Sequence, residues 1–225
     1  MIVYGDASCA EDAATLVAQI RANLAGCFAA PTLDNLRALL IRVGQFEQAV
    51  CDAPADAMPQ GGAAMITMLV ARAFYHAWLA ADTHATPDGA CITTLLQRAE
   101  HTLDNHDMPN MSVTVKVPEG FAFYALFPDH YILAARRWLR DHANVPSRVA
   151  AVIGVRSIGT TLAAVVAAVL MEAGWHVARM TVRPTGHPFE RQADLGDARF
   201  SAGAWALVVD EGPGMSGSSM AAVAA

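Results

Sequence analysis

One stretch of the chain decides its fold: Trp205-Ala206-Leu207-Val208-Val209-Asp210-Glu211-Gly212-Pro213-Gly214-Met215-Ser216-Gly217-Ser218-Ser219. It begins with an apolar run, continues with two adjacent acids and a Gly/Ser-rich loop, and leads into an Ala-rich segment typical of a helix. A continuous apolar run is typical of a strand that is buried on both faces of a parallel sheet. The stretch therefore predicts a buried strand that delivers two carboxylates and a small-residue loop to one place.

These residue types indicate a ligand site at the end of that strand. Carboxylates suit sugar hydroxyls or Mg²⁺. Backbone N–H groups and serine hydroxyls at a helix N-terminus suit a phosphate. Asp210, Glu211 and the serines that follow them together suggest a ribose phosphate held at both ends.

The preceding residues extend the same pattern into an α/β domain. Strands are predicted for the apolar runs Val149–Val155, Trp175–Val182 and Ala204–Asp210, with a helix over Thr160–Ala173 and a polar loop over Arg183–Gly203. A strand, helix and strand at this spacing predict a right-handed parallel crossover. Ligands in such sheets bind beyond the carboxyl ends of the strands, where the loops 154–159 and 212–217 are expected.

The residues before this domain predict an all-helical region, so we expect a helical domain over 1–110 and the α/β domain over 111–225. Ser8-Cys9-Ala10-Glu11 has the pattern of a capping box at the start of the first helix. Further helices are predicted after Thr32, over 63–82, and over 88–104 behind a Thr86-Pro87 cap. At the start of the second region, the pattern predicts strands over Ser112–Val117 and Phe121–Phe127 and a helix from Pro128.

Composition excludes several classes of function. The chain is 54% hydrophobic and 16% charged, enough for a large core, and its net charge is −6. Residues 111–225 carry a net charge of only +1, which favours a small anionic ligand and is too weakly basic for a nucleic-acid surface. Arg72 and His76 interrupt the apolar stretch Gly61–Ala81, so we expect no membrane span there. Scattered cysteines and the lack of a signal-peptide pattern favour a cytoplasmic protein.

A second loop also suits a phosphate. Gly154-Val155-Arg156-Ser157-Ile158-Gly159 offers a guanidinium on Arg156, a hydroxyl on Ser157, and backbone donors at Ile158 and Gly159 in front of a helix. The lysine required by a nucleotide-triphosphatase loop is absent from it. A plain strand-to-helix turn is the alternative interpretation.

A rival motif overlaps the Gly/Ser-rich loop that follows Glu211. Gly212-x-Gly214-x-x-Gly217 fits the dinucleotide fingerprint G-x-G-x-x-G, which would indicate an oxidoreductase. Two carboxylates would then face a pyrophosphate, and no acid follows about twenty residues later for the adenosine ribose. The dinucleotide interpretation is therefore the weaker one.

The pattern as a whole resembles the type I phosphoribosyltransferase family, whose signature is a buried strand, two acids and a loop that ends in [T/S]-G-x-[T/S]. Here it is Leu207-Val208-Val209-Asp210-Glu211 with Ser216-Gly217-Ser218-Ser219, and the likeness covers residues 112–225. The resemblance implies that Asp210 and Glu211 bind the ribose hydroxyls of phosphoribosyl pyrophosphate. It also implies a loop that cradles the 5′-phosphate, formed by Gly214, Met215, Ser216, Gly217, Ser218 and Ser219.

The resemblance further implies a pyrophosphate loop and a mobile catalytic loop. The pyrophosphate loop corresponds to Arg156, Ser157, Ile158 and Gly159. The catalytic loop corresponds to Arg183–Arg191 with Arg183, His187 and Arg191, and Mg²⁺ is expected to bind through the substrate and through water on Asp210 or Glu211. Transfer of a 5-phosphoribosyl group to or from a base would pass through an oxocarbenium-like sugar.

Two features depart from the family pattern. Four residues, 212–215, separate the acids from Ser216 where the family has three, and the chain stops one turn into the next helix, as expected of a fragment. A non-catalytic sensor of phosphoribosyl pyrophosphate or of a nucleotide is therefore an alternative. The oligomeric state stays open, a homodimer included.

Overall fold

The computed structural model describes residues 6–54, 60–106, 111–196, 200–201, 203–212 and 216–225. Over these residues the protein is a mixed α/β structure with eight helices and a three-stranded parallel sheet. The chain divides into two compact units, Met1–Glu119 and Gly120–Ala225.

The first unit consists of four long helices and a two-stranded antiparallel sheet. In chain order its elements are β1 (Ala7–Asp12), α1 (Ala13–Ala29), α2 (Leu33–Asp52), α3 (Gln60–Asp82), α4 (Gly89–Asp104) and β2 (Ser112–Val117). The helix α2 starts directly after Thr32 as predicted, and Thr32 caps it, since its hydroxyl accepts a hydrogen bond of 3.2 Å from the amide of Asn35. The aromatic rings of Phe46 on α2 and Phe74 on α3 are fully buried in the core.

The prediction that Ser8-Cys9-Ala10-Glu11 caps the first helix is wrong, because these residues lie in β1. The strand pairs along its whole length with β2. Asp12 caps α1 instead, and its carboxylate accepts a hydrogen bond of 3.0 Å from the amide of Thr15. Long-range pairing thus removes these residues from the helix, and the N-terminal region is not all-helical.

The cap predicted at Thr86-Pro87 is also displaced. Asp88 caps α4 through a hydrogen bond of 3.0 Å that its carboxylate accepts from the amide of Cys91. A carboxylate at the N-terminus of a helix satisfies a backbone donor and complements the helix dipole.

A buried glutamine connects α2 to β2. The amide group of Gln48, 1% exposed, donates to the carbonyl of Thr114 at 3.2 Å and accepts from the amide of Lys116 at 2.9 Å. The side chain thereby satisfies the backbone groups that an additional strand would satisfy. Because β2 packs on α2 and pairs with β1, the first compact unit continues to Glu119, beyond the boundary expected at residue 110.

One helix among the described residues is long and apolar enough to cross a membrane by length and composition. It is α3, and 67% of its most apolar window is buried within the protein. A core helix satisfies the same criterion.

The second unit is built on a parallel sheet with strand order β4-β3-β7. Its elements are α5 (Glu119–Phe123, starting at the last residue of the first unit), α6 (Pro128–Asp141), β3 (Val149–Val155), α7 (Ile158–Glu172), β4 (His176–Val182), β5 (Thr185–His187), β6 (Glu190–Gln192), β7 (Trp205–Val209) and α8 (Ser218–Ala224). The three apolar runs thus form the predicted strands, and the predicted helices follow them.

Two predictions for this unit are wrong. Residues 121–127 form no strand: α5 is followed by a turn in which the amide of Leu126 donates to the carbonyl of Gly120 at 3.0 Å and Ala125 has a φ of 51°. The segment 183–203 is not a plain loop, because β5 and β6 pair as an antiparallel hairpin within it.

An aromatic cluster lies at the amino-terminal end of the sheet. Trp138 stacks on His142 with ring centroids 4.3 Å apart and meets Trp175 and Trp205 edge-on at 5.0 and 5.7 Å. Trp205 begins β7 and Trp175 immediately precedes β4. The cluster therefore packs the last turns of α6 onto the end of the sheet that is opposite the strand carboxyl ends.

Candidate active site at the carboxyl end of the sheet

Two glycines bring the carboxyl ends of β3 and β7 together. A side chain on Gly159 would place its Cβ 2.5 Å from the carbonyl oxygen of Val209, and one on Gly154 would overlap the carbonyl of Gly159. Such overlaps are with backbone atoms, so only glycine fits. The start of α7 therefore packs directly against the last residue of β7, next to Asp210.

The acid pair follows β7 as predicted. Asp210 is half-buried and Glu211 is exposed. The amide of Glu211 donates a hydrogen bond of 2.8 Å to Oδ1 of Asp210, which orients that carboxylate. Oε2 of Glu211 lies over Gly120, 2.6 Å from the position that a Cβ would occupy there. The Asp210 carboxylate is thus oriented by a local hydrogen bond, and the Glu211 carboxylate lies against Gly120.

Tyr131 contacts the acid pair from α6. Its hydroxyl donates a hydrogen bond to the carbonyl oxygen of Asp210. Burial, and to a smaller extent the carboxylates of Asp210 and Glu211, together raise the pKa of Tyr131 from 10.0 to about 12. Sequence reasoning missed this residue, because 79 positions separate the two partners and no local motif marks a tyrosine in the first turn of a helix.

The Arg156 side chain turns towards β4. Its Nη1 donates to Oγ1 of Thr181 at 3.3 Å, and its amide donates to the carbonyl of Val182 at 2.8 Å. The peptide bond between Arg156 and Ser157 is cis. Nη1 of Arg183 donates to the carbonyl of Arg156 at 3.3 Å, which joins the predicted pyrophosphate loop to the segment after β4.

The other members of the predicted pyrophosphate loop are buried. Ser157, the residue before α7, is 8% exposed and makes no side-chain capping hydrogen bond. Ile158 is 3% exposed, and Gly159 packs on Val209. These three residues shape the strand-to-helix turn, whose position beside the acid pair agrees with the sequence-based expectation.

The residues 216–219, here called the serine turn, contact the tip of the β5–β6 hairpin. Oγ of Ser218 donates to the carbonyl of Pro188 at 2.6 Å, and Oγ of Ser216 donates to the same oxygen at 3.0 Å. The amide of Ser218 approaches Oγ of Ser216 at 3.3 Å, and Gly217 between them has a φ of 67°. Ser219 is half-buried in the first turn of α8, while Gly214 and Met215 lie outside the described residues.

The hairpin carries two of the residues predicted for the mobile loop. Nδ1 of His187 accepts a hydrogen bond of 3.3 Å from the amide of Phe189, and Nη1 of Arg191 donates to the carbonyl of Gly186 at 3.2 Å. Both contacts lie within the hairpin. The phenyl ring of Phe189 at its tip is 67% exposed.

The carboxylates at the carboxyl end of β7 suit a metal ion that is also bound by the substrate. Within the described ranges, no group of three His, Cys, Asp or Glu side chains could hold a metal ion. Mg²⁺ commonly binds to phosphate oxygens and waters with only one or two protein carboxylates. The adjacent carboxylates of Asp210 and Glu211 meet that smaller requirement.

Compared with protein-family models, curated proteins and solved structures, the chain matches none of them. The case for a function therefore depends on the geometry of this edge.

Proposed function

We propose that the second unit is a phosphoribosyltransferase-like domain that binds phosphoribosyl pyrophosphate with Mg²⁺ and transfers the 5-phosphoribosyl group to or from a nitrogenous base. The observation that carries the proposal is the contact of Gly159 with Val209. It brings a strand-to-helix loop beside the two carboxylates that follow β7, at the edge where parallel sheets bind ligands.

On this proposal the acid pair binds the sugar. The carboxylates of Asp210 and Glu211 accept hydrogen bonds from the ribose 2′- and 3′-hydroxyls. The hydrogen bond that the amide of Glu211 donates to Oδ1 of Asp210 supports this role, because it orients a carboxylate group whose oxygens can each accept more than one hydrogen bond.

The serine turn binds the 5′-phosphate in the same proposal. Ser216 and Ser218 already direct their hydroxyl hydrogens at one oxygen atom, the carbonyl of Pro188. A phosphate oxygen would take the place of that carbonyl when the hairpin tip moves away. The nearby amide of Ser218 and the backbone of Gly217 and Ser219 complete the loop.

Mg²⁺ would bind through the substrate and through water on Asp210 or Glu211, and it would supply charge neutralisation of the pyrophosphate leaving group. The chain's own residues hold the sugar and exclude water from the oxocarbenium-like centre. We assign the exclusion of water to the β5–β6 hairpin with His187 and Arg191, preceded by Arg183, which would close over the bound substrate.

Calorimetry tests the binding step. Phosphoribosyl pyrophosphate with MgCl₂ is titrated into the wild-type protein, into the double variant Asp210→Asn/Glu211→Gln, and into Asp141→Asn/Glu172→Gln. The control pair removes the same charge from two exposed residues at the other ends of α6 and α7. We expect binding by the wild type and the control and at least about a hundredfold loss in the acid-pair variant, since two charged hydrogen-bond acceptors are lost. Equal binding by all three proteins contradicts the proposal.

Pyrophosphate release tests the transfer step. The protein is incubated with phosphoribosyl pyrophosphate, MgCl₂ and each of the common purine, pyrimidine and pyridine bases. We expect release with one base and none with the acid-pair variant. Binding without release for any base would leave the non-catalytic sensor as the function.

A further inference from the structure

We propose that Tyr131 is a positioning residue that holds the Asp210–Glu211 peptide group and thereby fixes the orientation of the Asp210 carboxylate. The inference deepens the proposed function and rests on it. Its basis is that two hydrogen bonds hold the two ends of a single peptide unit: Tyr131 on α6 donates one to its carbonyl, and the Asp210 side chain accepts the other from its N–H.

The first hydrogen bond holds the carbonyl end of that unit. The hydroxyl of Tyr131 donates to the carbonyl oxygen of Asp210. Pro128 starts α6, and this places Tyr131 in the first turn of the helix, beside the carboxyl end of β7. The phenol thus anchors the strand end from a neighbouring helix.

The second hydrogen bond holds the amide end. The N–H of Glu211 donates to Oδ1 of Asp210 at 2.8 Å. The carbonyl of Asp210 and the amide of Glu211 belong to the same planar peptide unit. Rotation of that plane would change ψ of Asp210 and φ of Glu211 and would break both hydrogen bonds, including the one that orients the Asp210 carboxylate.

The protonation state of the phenol supports this role. Burial and the two nearby carboxylates favour the neutral form of Tyr131 and raise its pKa to about 12. At neutral pH the hydroxyl therefore keeps the hydrogen that it donates. The aromatic ring also lies in a half-buried position on α6, so its own orientation is restricted by packing.

The test compares Tyr131→Phe with Tyr124→Phe, a matched removal of a phenol hydroxyl from a side chain that is 61% exposed. Solvent exchange of the Glu211 amide is measured by NMR without ligand, and phosphoribosyl pyrophosphate with MgCl₂ is titrated by calorimetry. We expect Tyr131→Phe to speed exchange at Glu211 and to weaken binding about five- to tenfold, the ratio that one hydrogen bond provides. Tyr124→Phe is expected to match the wild type in both measurements.

The outcomes separate this inference from the proposed function. If Tyr131→Phe leaves the exchange of the Glu211 amide unchanged, the positioning role is overturned. A uniform rise in amide exchange across β3 and β7 overturns it as well, because that result would indicate a general loss of packing. Wild-type affinity in Tyr131→Phe overturns the role while the proposed function stands. A wild-type protein that binds no phosphoribosyl pyrophosphate contradicts the proposed function, and the exchange data still decide whether Tyr131 holds the peptide group.

Discussion

The hydroxyl of Ser218 donates a hydrogen bond of 2.6 Å to the carbonyl oxygen of Pro188, which joins the serine turn to the tip of the β5–β6 hairpin. Ser216 donates to the same oxygen at 3.0 Å. A serine hydroxyl carries a single hydrogen, so this arrangement uses the donors that a phosphate would need. On the proposed function, a phosphate that accepted hydrogen bonds from both hydroxyls would therefore displace the tip of the hairpin.

Removing the two hydroxyls should release the hairpin. We expect Ser216→Ala/Ser218→Ala to increase tryptic cleavage after Arg191 by about fivefold or more, since each neutral hydrogen bond contributes about 1 kcal/mol. Cleavage after Arg183 is blocked by Pro184, which makes Arg191 a specific reporter. The fragments are quantified by mass spectrometry. Ser201→Ala, at an exposed serine outside the hairpin, is the control, and equal cleavage of both variants would show that the hydroxyls do not hold the tip.

Gly120→Ala should displace the Glu211 carboxylate without changing its charge. The new methyl group would lie 2.6 Å from Oε2 of Glu211 and 2.6 Å from Cδ1 of Ile158, and both are ends of flexible side chains that can retreat. We expect the fold to be kept and the affinity for phosphoribosyl pyrophosphate with MgCl₂ to fall at least about tenfold, because a shift approaching an ångström misplaces a binding group. The control is Gly26→Ala on α1, where a Cβ would meet nothing within 4 Å. Wild-type affinity in Gly120→Ala would argue against a role for Glu211.

Gly159→Ala should destabilise the second unit. Its Cβ would lie 2.5 Å from the carbonyl of Val209, and a backbone atom cannot move aside as a side chain can. We expect the free energy of unfolding in urea to fall by about 3 kcal/mol. Gly26→Ala, within a helix, should instead gain up to about 1 kcal/mol. A Gly159→Ala protein as stable as the wild type would mean that β7 and α7 do not pack this closely.

Stability should depend on Tyr131 at alkaline pH. The pKa of Tyr131 in the folded protein, about 12, lies above the ordinary tyrosine value of 10.0, so the stabilisation is fully present below pH 10 and is lost as the pH rises towards 12. The half-buried position of the ring limits the loss to about 1–2 kcal/mol. Urea unfolding of the wild type and Tyr131→Phe is compared from about pH 9 to about pH 11.5. The wild type should lose more stability than the variant over this range, and parallel curves would contradict the assignment.

Gln48→Leu should destabilise the first unit. The substitution leaves the carbonyl of Thr114 and the amide of Lys116 without the partner that Gln48 provides. We expect a loss of about 2–3 kcal/mol in the free energy of unfolding, measured in urea by circular dichroism. Gln97→Leu, on the exposed side of α4, makes the same chemical change and should alter stability by less than about 0.5 kcal/mol. Similar losses in both variants would contradict the bridging role.

The sequence predicts the sheet of the second unit well because its strands are encoded locally. Val149–Val155 is apolar at successive positions, and β3 has the same bounds. The acids at the end of β7 and the loop after β3 meet at one edge, as parallel topology requires. The elements that local patterns did not predict are determined by contacts between residues far apart in the sequence. Residues 8–11 satisfy a helix-capping pattern, yet their pairing with β2 makes them a strand.

The same limit applies to the candidate site. Asp210 and Glu211 are recognisable because they follow an apolar run directly, whereas Tyr131 has no such signal and meets Asp210 only through the fold. The polar segment after β4 gave no alternation to indicate a hairpin, because β5 and β6 have only three residues each. Its contact with the serine turn is likewise a property of tertiary structure.

The aromatic cluster has a practical consequence for optical measurements. Trp138, Trp175 and Trp205 all lie at the amino-terminal end of the sheet, and four strand steps separate Trp205 from Val209, which is roughly 13 Å along β7. Their intrinsic fluorescence would report the integrity of the sheet and would respond weakly to a solute at the opposite edge. A fluorescent probe placed at Phe189, on the exposed tip of the hairpin, would instead respond to a solute at the carboxyl end of the strands.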